Sequence, residues 1–147
     1  MARTIISVIV GYFAMLVLAF VGFTCAYLIV GQDVAFKPGL YEASSPWVAI
    51  AFVINIVVSV VGGLICARIA KSGRAPLALA IVVAVLGIVI AIGDTSKRKA
   101  NAGSIRTGIT PQMEAIQKAY WPIWVPFTFP FTGAIGVLIG GKLKKRI

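Results

Sequence analysis

The chain contains no histidine, only four acidic residues and only two cysteines among its 147 residues. The absence of histidine removes the commonest metal ligand and the commonest proton carrier at physiological pH. No Cys-x-x-Cys pair is present, which excludes a thioredoxin-like redox centre. The sequence therefore predicts a protein without enzymatic chemistry of its own, with no catalytic residue, no cofactor and no metal site.

The two cysteines, Cys25 and Cys66, both lie in hydrophobic segments. Because an α-helix rises about 1.5 Å per residue, their predicted depths in a membrane differ by roughly 20 Å. A disulfide requires Cα atoms within about 7 Å of each other. We therefore expect two small buried hydrophobic side chains and no disulfide.

Charge is scarce, since 12% of the residues are charged and 60% are hydrophobic. This composition lies far from that of soluble globular domains and indicates an integral membrane protein. A span requires about 20 apolar residues, so the length accommodates four helices in one membrane domain, residues 1–147. The formal net charge of +10 predicts contacts with anionic lipid head groups, and the absence of a basic-aromatic module argues against a nucleic-acid partner.

The clearest membrane span is the second one, predicted over residues 47–70. It begins with 21 consecutive uncharged residues, from Trp47 to Ala67, and basic residues follow at its end. Ser59, Gly63 and Ala67 recur every four residues along it. Such a stripe of small side chains lets a neighbouring helix backbone come close.

The remaining spans are predicted over residues 5–30, 76–92 and 122–141, with outer loops over 31–46 and 93–121. The first apolar run is longer than the core of a secretory signal, so we expect it to be retained as a helix. The third span is predicted to be the shortest. In the second loop, Thr110 as N-cap, Pro111 at the first position and Glu114 in the first turn predict a short helix.

The fourth span has an unusual start, because Pro122, Pro126 and Pro130 recur every four residues. An interior proline removes one helical hydrogen bond and clashes with the preceding turn. We expect a kinked or partly unwound entry, with threonine hydroxyls as local partners for the freed carbonyls. Beyond it, Gly136 and Gly140 form a GxxxG pair suited to close helix packing.

The basic residues predict which side of the membrane each end occupies. With both termini and the turn after residue 70 on one side, that side holds eight basic residues and no acid, namely Arg3, Arg68, Lys71, Arg74, Lys142, Lys144, Lys145 and Arg146. The other side holds six basic residues and all four acids. Because cytoplasmic segments are enriched in lysine and arginine, both termini are predicted to be cytoplasmic.

Polar side chains that could contact a ligand are few. In the interior of the predicted spans no residue is Asp, Glu, Lys, Arg or His, and Asn55 is the single strongly polar one. Its commonest role is an interhelical hydrogen bond, and a ligand contact is the alternative. Trp124, in the aromatic start of the fourth span, is either a belt residue or part of a lipid groove. Lys97, Arg98 and Lys99 are candidates for attracting an anionic head group.

The segments GGLICARIAKSGRAPLALAIVVAVLGIVI and WPIWVPFTFPFTGAIGVLIGGKL carry a resemblance. They resemble the small four-helix inner-membrane proteins of bacteria whose function is uncharacterised. The resemblance covers the second to fourth spans and implies a multi-pass protein of the bacterial inner (plasma) membrane. It implies no activity.

Two functional hypotheses follow. The first is a structural or accessory subunit of a homo-oligomer or larger membrane complex, because the glycine stripes on the second and fourth spans exceed the needs of a minimal bundle. Its partners would be membrane lipids and other membrane subunits or a second copy. The alternative is a lipid-binding or passive small-solute transport protein whose site lies between the second and fourth spans.

Overall fold

The computed structural model describes residues 2–70 and 73–144. Its elements are α1 (Ala2–Val30), α2 (Gln32–Ala35), α3 (Ser45–Ala70), α4 (Ala75–Asn101), α5 (Gln112–Lys118) and α6 (Val125–Leu143). The described part contains only helices and isolated bridges, which confirms the all-α class. Three of the predicted cytoplasmic basic residues, Lys71, Lys145 and Arg146, lie outside the described residues.

Three helices in the described ranges, α1, α3 and α4, are long and apolar enough to cross a membrane. The chain is therefore a multi-pass membrane protein by the length and composition of its helices. Helix α6 has 19 residues, including two prolines, two threonines and four glycines, and it is not one of these three. It corresponds to the predicted fourth span.

The third predicted helix is longer at its C-terminal end than expected. The sequence predicted residues 76–92, whereas α4 continues through Gly93 to Asn101. The outer loop therefore begins at residue 102 and not at 93, and the prediction that this span is the shortest was wrong. Lysine, arginine and alanine are good helix formers, and cations are favourable in the last turn, so the basic run continues the helix.

The short helix in the second loop forms, but its start differs from the prediction. Helix α5 has Pro111 at its N-cap and no side-chain cap hydrogen bond. Thr110 instead fastens the loop through its backbone: its N–H donates to Gln32 Oε1 at 2.5 Å and its carbonyl accepts a hydrogen bond from the Tyr27 hydroxyl at 3.1 Å. The N-cap prediction for Thr110 was therefore wrong.

The prolines of the fourth predicted span occupy three different settings. Pro122 precedes the helix, Pro126 lies in its first turn, and Pro130 is interior. Because the first turn of a helix has unpaired N–H groups in any case, only Pro130 removes an interior hydrogen bond. The helix therefore begins three residues later than the predicted start at residue 122.

The direction of each helix follows from the pairs in contact. Gly62 of α3 faces Met15 of α1, and Gly22 of α1 faces Ile54 of α3, so these helices are antiparallel. Helix α4 is antiparallel to α6, since Gly87 faces Pro130 and Gly141 faces Pro76, the pairs lying at opposite ends. The short connection after α3 places α3 and α4 antiparallel as well.

Helices α3 and α6 are parallel and very closely packed. A Cβ at Gly63 would overlap the Val137 carbonyl, and a Cβ at Gly140 would overlap the Val60 carbonyl. At Gly136 it would lie 2.7 Å from the Ser59 Cβ. Only glycine permits this approach of the two backbones.

Both loops lie at the same end of the bundle, which we call the upper end. The Ala43 N–H donates to the Tyr120 carbonyl at 3.0 Å, and the Tyr120 N–H donates to the Tyr41 carbonyl at 3.1 Å. Arg98, at the end of α4, joins them: Nη1 donates to the Trp121 carbonyl at 3.1 Å and lies 4.0 Å from Glu42 Oε1. The loops and the end of α4 thus form one connected layer.

Candidate functional site

A cleft lies between α1 and α4. The two helices meet near their lower ends, where a Cβ at Gly11 would lie 3.0 Å from Leu79 Cδ2. Higher up, two cavities lie between them, which we call the lower and the upper cavity. The lower one has a volume of about 220 Å³ and the upper one about 290 Å³.

The upper cavity has mostly aromatic walls. They come from α1, the first loop, α3 and the segment before α6, and the principal rings are those of Phe20, Phe23, Tyr27, Trp47, Tyr120 and Trp121. Several of these rings also pack edge-on against one another, such as Tyr27 against Trp47 with centroids 6.2 Å apart. The mutual packing gives the cavity a fixed shape, since such pairs add stability beyond the area they bury.

Helix α5 covers this cavity: its residues Gln112, Ala115 and Ile116 line it, and so does Ala119 just after the helix. Two hydrogen bonds fasten this segment to α1. Gln112 Nε2 lies 3.0 Å from the Thr24 hydroxyl oxygen, which accepts its hydrogen bond, and the Tyr27 hydroxyl donates to the Thr110 carbonyl. On α5, Met113 and Ile116 are exposed, and Ala115 is the buried residue.

A polar cluster outside the cavity holds α5 to the first loop. The Tyr41 hydroxyl donates to Glu114 Oε1 at 2.8 Å, and Lys118 Nζ lies 2.9 Å from the same oxygen. The Lys118 hydrogen bond, and then that of Tyr41, lower the pKa of Glu114. The bond to Glu114 raises the pKa of Tyr41 and of Lys118. The cluster is therefore most favourable with a charged carboxylate, a charged lysine and a neutral phenol.

The lower cavity is lined mainly by aliphatic side chains of α1 and α4, including Met15, Leu16, Val83 and Ile90. Its inner wall comes from α3 and α6 and contains Asn55, Phe129 and two prolines. An apolar slot of this kind matches a hydrocarbon chain better than a polar solute.

Asp94 lines both cavities and so marks the boundary between them. It lies on the inner face of α4, half-buried. Within residues 2–70 and 73–144 its carboxylate makes no hydrogen bond and no salt bridge. Lys97, one turn further along α4, lines the upper cavity as well. A carboxylate and an ammonium thus face the same aromatic chamber.

Asn55 is hydrogen-bonded between helices. Its Nδ2 donates to the Thr132 hydroxyl oxygen at 2.8 Å and to the Phe129 carbonyl at 3.2 Å. Thr132 also donates to the Phe129 carbonyl at 3.1 Å, which is the kind of local partner expected near the prolines. One turn below, the Ser59 hydroxyl donates to the Asn55 carbonyl at 2.6 Å. Asn55 thereby forms the polar edge of the lower cavity.

The other predicted contact residues lie apart from Asn55. Trp124 stacks on Phe52 at 6.1 Å and lines a third cavity of about 460 Å³, between the first loop, α3 and the start of α6. Lys97 is exposed and lines the upper cavity, Arg98 turns toward the loops, and Lys99 is exposed and lines neither cavity of the cleft. Since successive helical residues point about 100° apart, the three basic side chains do not form one patch.

The predicted packing residues Ser59, Gly63, Ala67, Gly136 and Gly140 all lie within the α3 and α6 pair. Lys144 Nζ also donates to the Ala67 carbonyl at 2.6 Å. The small-residue stripes are therefore used inside the chain. No space for a ligand is left where these glycines meet, and the two cavities lie on the α1 and α4 side of the bundle.

Asp94 is a functional candidate that the sequence pattern did not predict, because the predicted outer loop, residues 93–121, contains it. A signal was present in the spacing of α4. The small residues Ala80, Ala84, Gly87 and Ala91 recur every three or four positions, and Asp94 and Arg98 continue the same series. That periodicity places Asp94 on the inward face of a longer helix.

Comparison with protein-family models, with curated proteins and with solved structures finds no match to this chain.

Proposed function

We propose that this protein binds a membrane lipid in the cleft between α1 and α4. The observation that carries the proposal is the pair of adjoining cavities, an aliphatic one below and an aromatic one with two charged residues above. Ligand sites are typically apolar pockets with a few placed polar groups. Along the bundle the lining changes from aliphatic in the lower cavity to aromatic and charged in the upper one. A lipid changes in the same way, from its acyl chains to its head group.

The rim of the cleft faces the surface that would contact the bilayer. Phe20 on α1 is 64% exposed and Ile116 on α5 is 51% exposed, and both line the upper cavity. The neighbouring outward surfaces of α1 and α4 are apolar, with Phe13, Val17, Val85 and Val89 exposed. A lipid in the adjacent leaflet would therefore enter sideways without crossing a polar barrier.

The proposed membrane topology has four spans, with α6 as the fourth and both termini cytoplasmic. Its support is the parallel packing of α6 on α3 and, in the sequence, the eight basic residues and no acid predicted for the side of the termini. Introduced cysteines in residues 31–46 and 102–120 should react with an impermeant reagent from outside intact bacterial cells. Labelling of these loops only in inverted inner-membrane vesicles would reverse the topology and place the cleft in the inner leaflet.

Tryptophan quenching tests lipid entry directly. Trp47 lines the upper cavity and is only 8% exposed, whereas Trp124 lies outside both cavities of the cleft and is 54% exposed. A Trp47-only protein, made by replacing the other two tryptophans with Phe, is reconstituted with phospholipid brominated near the head-group end of its chains. We expect quenching of Trp47, because bromine acts only at contact distance and bulk lipid does not reach this ring.

The control is a Trp124-only protein, which bulk lipid should quench whether or not the cleft is used. A filling variant, Ala119→Phe, should protect Trp47 by narrowing the upper cavity, and Val17→Phe on the lipid-facing side of α1 should not. Quenching of Trp124 without quenching of Trp47 would refute lipid binding in the cleft.

The accessory-subunit hypothesis remains a second proposal, with support from α1 alone. Its outward face carries large exposed side chains, such as Phe13 at 65% and Phe20 at 64%. Either a partner helix or lipid would cover these side chains. Cross-linking through a cysteine at Phe13 in native membranes tests it: a discrete adduct of defined mass supports a partner, and an uncross-linked chain opposes one. The expectation that the protein is not an enzyme remains a prediction.

A further inference from the structure

The charged residues of the upper cavity define the head group that a bound lipid would carry, an inference that rests on the proposed lipid-binding function. Asp94 is the single acidic residue in the four long helices α1, α3, α4 and α6. Across the described part of the chain, no side chain neutralises it by a salt bridge or hydrogen bond.

Lys97 supplies the complementary charge in the same cavity. It follows Asp94 by three residues, so both side chains leave α4 on the same face. They do not form a salt bridge with each other, in contrast to Lys118 and Glu114, which pair at 2.9 Å on α5. The cavity thus presents a separate acceptor for a cation and a separate donor for an anion.

The aromatic walls favour a cation on the Asp94 side. Tyr and Trp rings attract ammonium groups through their electron-rich faces, and quaternary ammonium sites commonly combine several such rings. The upper cavity holds Tyr27, Trp47, Tyr120 and Trp121. A carboxylate among aromatic rings recognises an alkylated or primary ammonium, and an adjacent lysine recognises a phosphate oxygen.

We infer that the cleft selects zwitterionic phospholipids, whose head groups carry an ammonium and a phosphate in the same molecule. The ammonium contacts Asp94 and the aromatic rings, the phosphate contacts Lys97, and an acyl chain occupies the lower cavity along Met15 and Val83. Anionic phospholipids have no ammonium for Asp94 and bring a further negative charge to it. They bind more weakly for both reasons.

Lipid retention measures the selectivity. The full chain is reconstituted in bilayers containing equal amounts of phosphatidylcholine, phosphatidylethanolamine and phosphatidylglycerol, purified in mild detergent, and its retained lipids are quantified by mass spectrometry. We expect the zwitterionic lipids to be enriched about three- to tenfold over phosphatidylglycerol, the range that one partly desolvated cation–π contact supplies. In Asp94→Asn the enrichment should disappear, and phosphatidylglycerol should gain through the unopposed Lys97.

Two controls separate selectivity from folding. Lys99→Gln makes the same charge change as Lys97→Gln on the same helix, but Lys99 lines neither cavity, so only Lys97→Gln should lower retention of all three lipids. If Asp94→Asn is too unstable to purify, the double variant Asp94→Lys with Lys97→Asp takes its place. It keeps both charges in the cavity and should therefore keep the preference for zwitterionic lipids. Equal retention ratios in wild type and Asp94→Asn would overturn the inference.

The outcomes also distinguish this inference from the function on which it rests. Retention of lipid in the proportions of the bilayer, with quenching of Trp47, leaves lipid binding intact and refutes the head-group selection. Absence of both retained lipid and Trp47 quenching refutes the proposed function itself, and the inference with it.

Discussion

The side-chain amide of Asn55 on α3 donates a hydrogen bond to the hydroxyl oxygen of Thr132 on α6 at 2.8 Å, and this is the principal polar contact between the two closely packed helices. It lies at the edge of the lower cavity, one turn above the glycine contacts. Close packing and a fixed hydrogen bond together determine how α6 is placed along α3, and hence the inner wall of the cleft.

Removal of the Asn55 amide should destabilise the bundle. We expect Asn55→Ala to lower the free energy of unfolding by about 0.6–2 kcal/mol, the range measured for interhelical hydrogen bonds in membranes. The measurement is an SDS unfolding titration, with Thr132→Val completing a double-mutant cycle. If the two substitutions add independently, the hydrogen bond contributes nothing measurable and the lost packing explains each effect.

Substitution of the interhelical glycines should be more damaging. Gly140→Val places a side chain where the Val60 carbonyl lies, so the helices must separate, and overpacking of this kind costs about 1–3 kcal/mol or more. Gly93→Val is the matched control, because no atom lies within 4 Å of a Cβ at Gly93 on α4. Similar losses of thermal stability in both variants would show that the contact with α3 is not the cause.

The contact of these glycines shows how far the sequence predicts this fold. Hydrophobic runs predict α1, α3 and α4, because each is much longer than any apolar stretch in a soluble domain, and the four-residue spacing at Ser59 and Gly63 is visible directly. Which helix packs against that stripe is decided by the tertiary structure. Composition alone leaves α1, α4 and α6 as equivalent candidates.

The cleft was harder to predict for a local reason. Gly93 and the basic residues after it have the composition of a loop, which predicts that the third helix ends at residue 92. The helix continues because its inward face packs against the rest of the chain: Ala91 is buried, and Arg98 is hydrogen-bonded to the segment before α6. Asp94 becomes a cavity residue only through this tertiary contact.

The cluster that fastens α5 to the first loop should depend on pH. Because the pKa of Glu114 is lowered in the folded protein, its contribution is fully present above the ordinary glutamate pKa and is lost as the pH falls through the lowered value. Because the pKa of Tyr41 is raised, its contribution is fully present below the ordinary tyrosine pKa and is lost as the pH rises through the raised value. The attachment is therefore strongest between these limits.

Glu114→Gln measures this dependence. At neutral pH the variant should unfold at a lower temperature than wild type, and the difference should shrink toward zero in acid, where the wild-type carboxyl is protonated. Tyr41→Phe should reduce the alkaline change and leave the part that comes from deprotonation of Lys118, whose pKa the bond to Glu114 also raises. A difference between wild type and Glu114→Gln that stays constant from acid to neutral pH would contradict a charged Glu114 as the source of the attachment.

The last prediction concerns Arg98, which joins α4 to the segment before α6. Its guanidinium donates to the Trp121 carbonyl at 3.1 Å, lies near Glu42 and sits 5.7 Å from the Tyr120 ring centroid. A lysine has no planar group able to serve a carbonyl and a ring together. We expect Arg98→Lys to lose about 1–3 kcal/mol in SDS titration, close to the loss in Arg98→Gln, while the exposed Lys99→Gln changes little. Because Trp121 also lines the upper cavity, an aqueous quencher should reduce its fluorescence more strongly in both Arg98 variants than in wild type. If Arg98→Lys behaves as wild type in both measurements, the positive charge alone, and not the contact with the carbonyl, attaches α4 to the segment before α6.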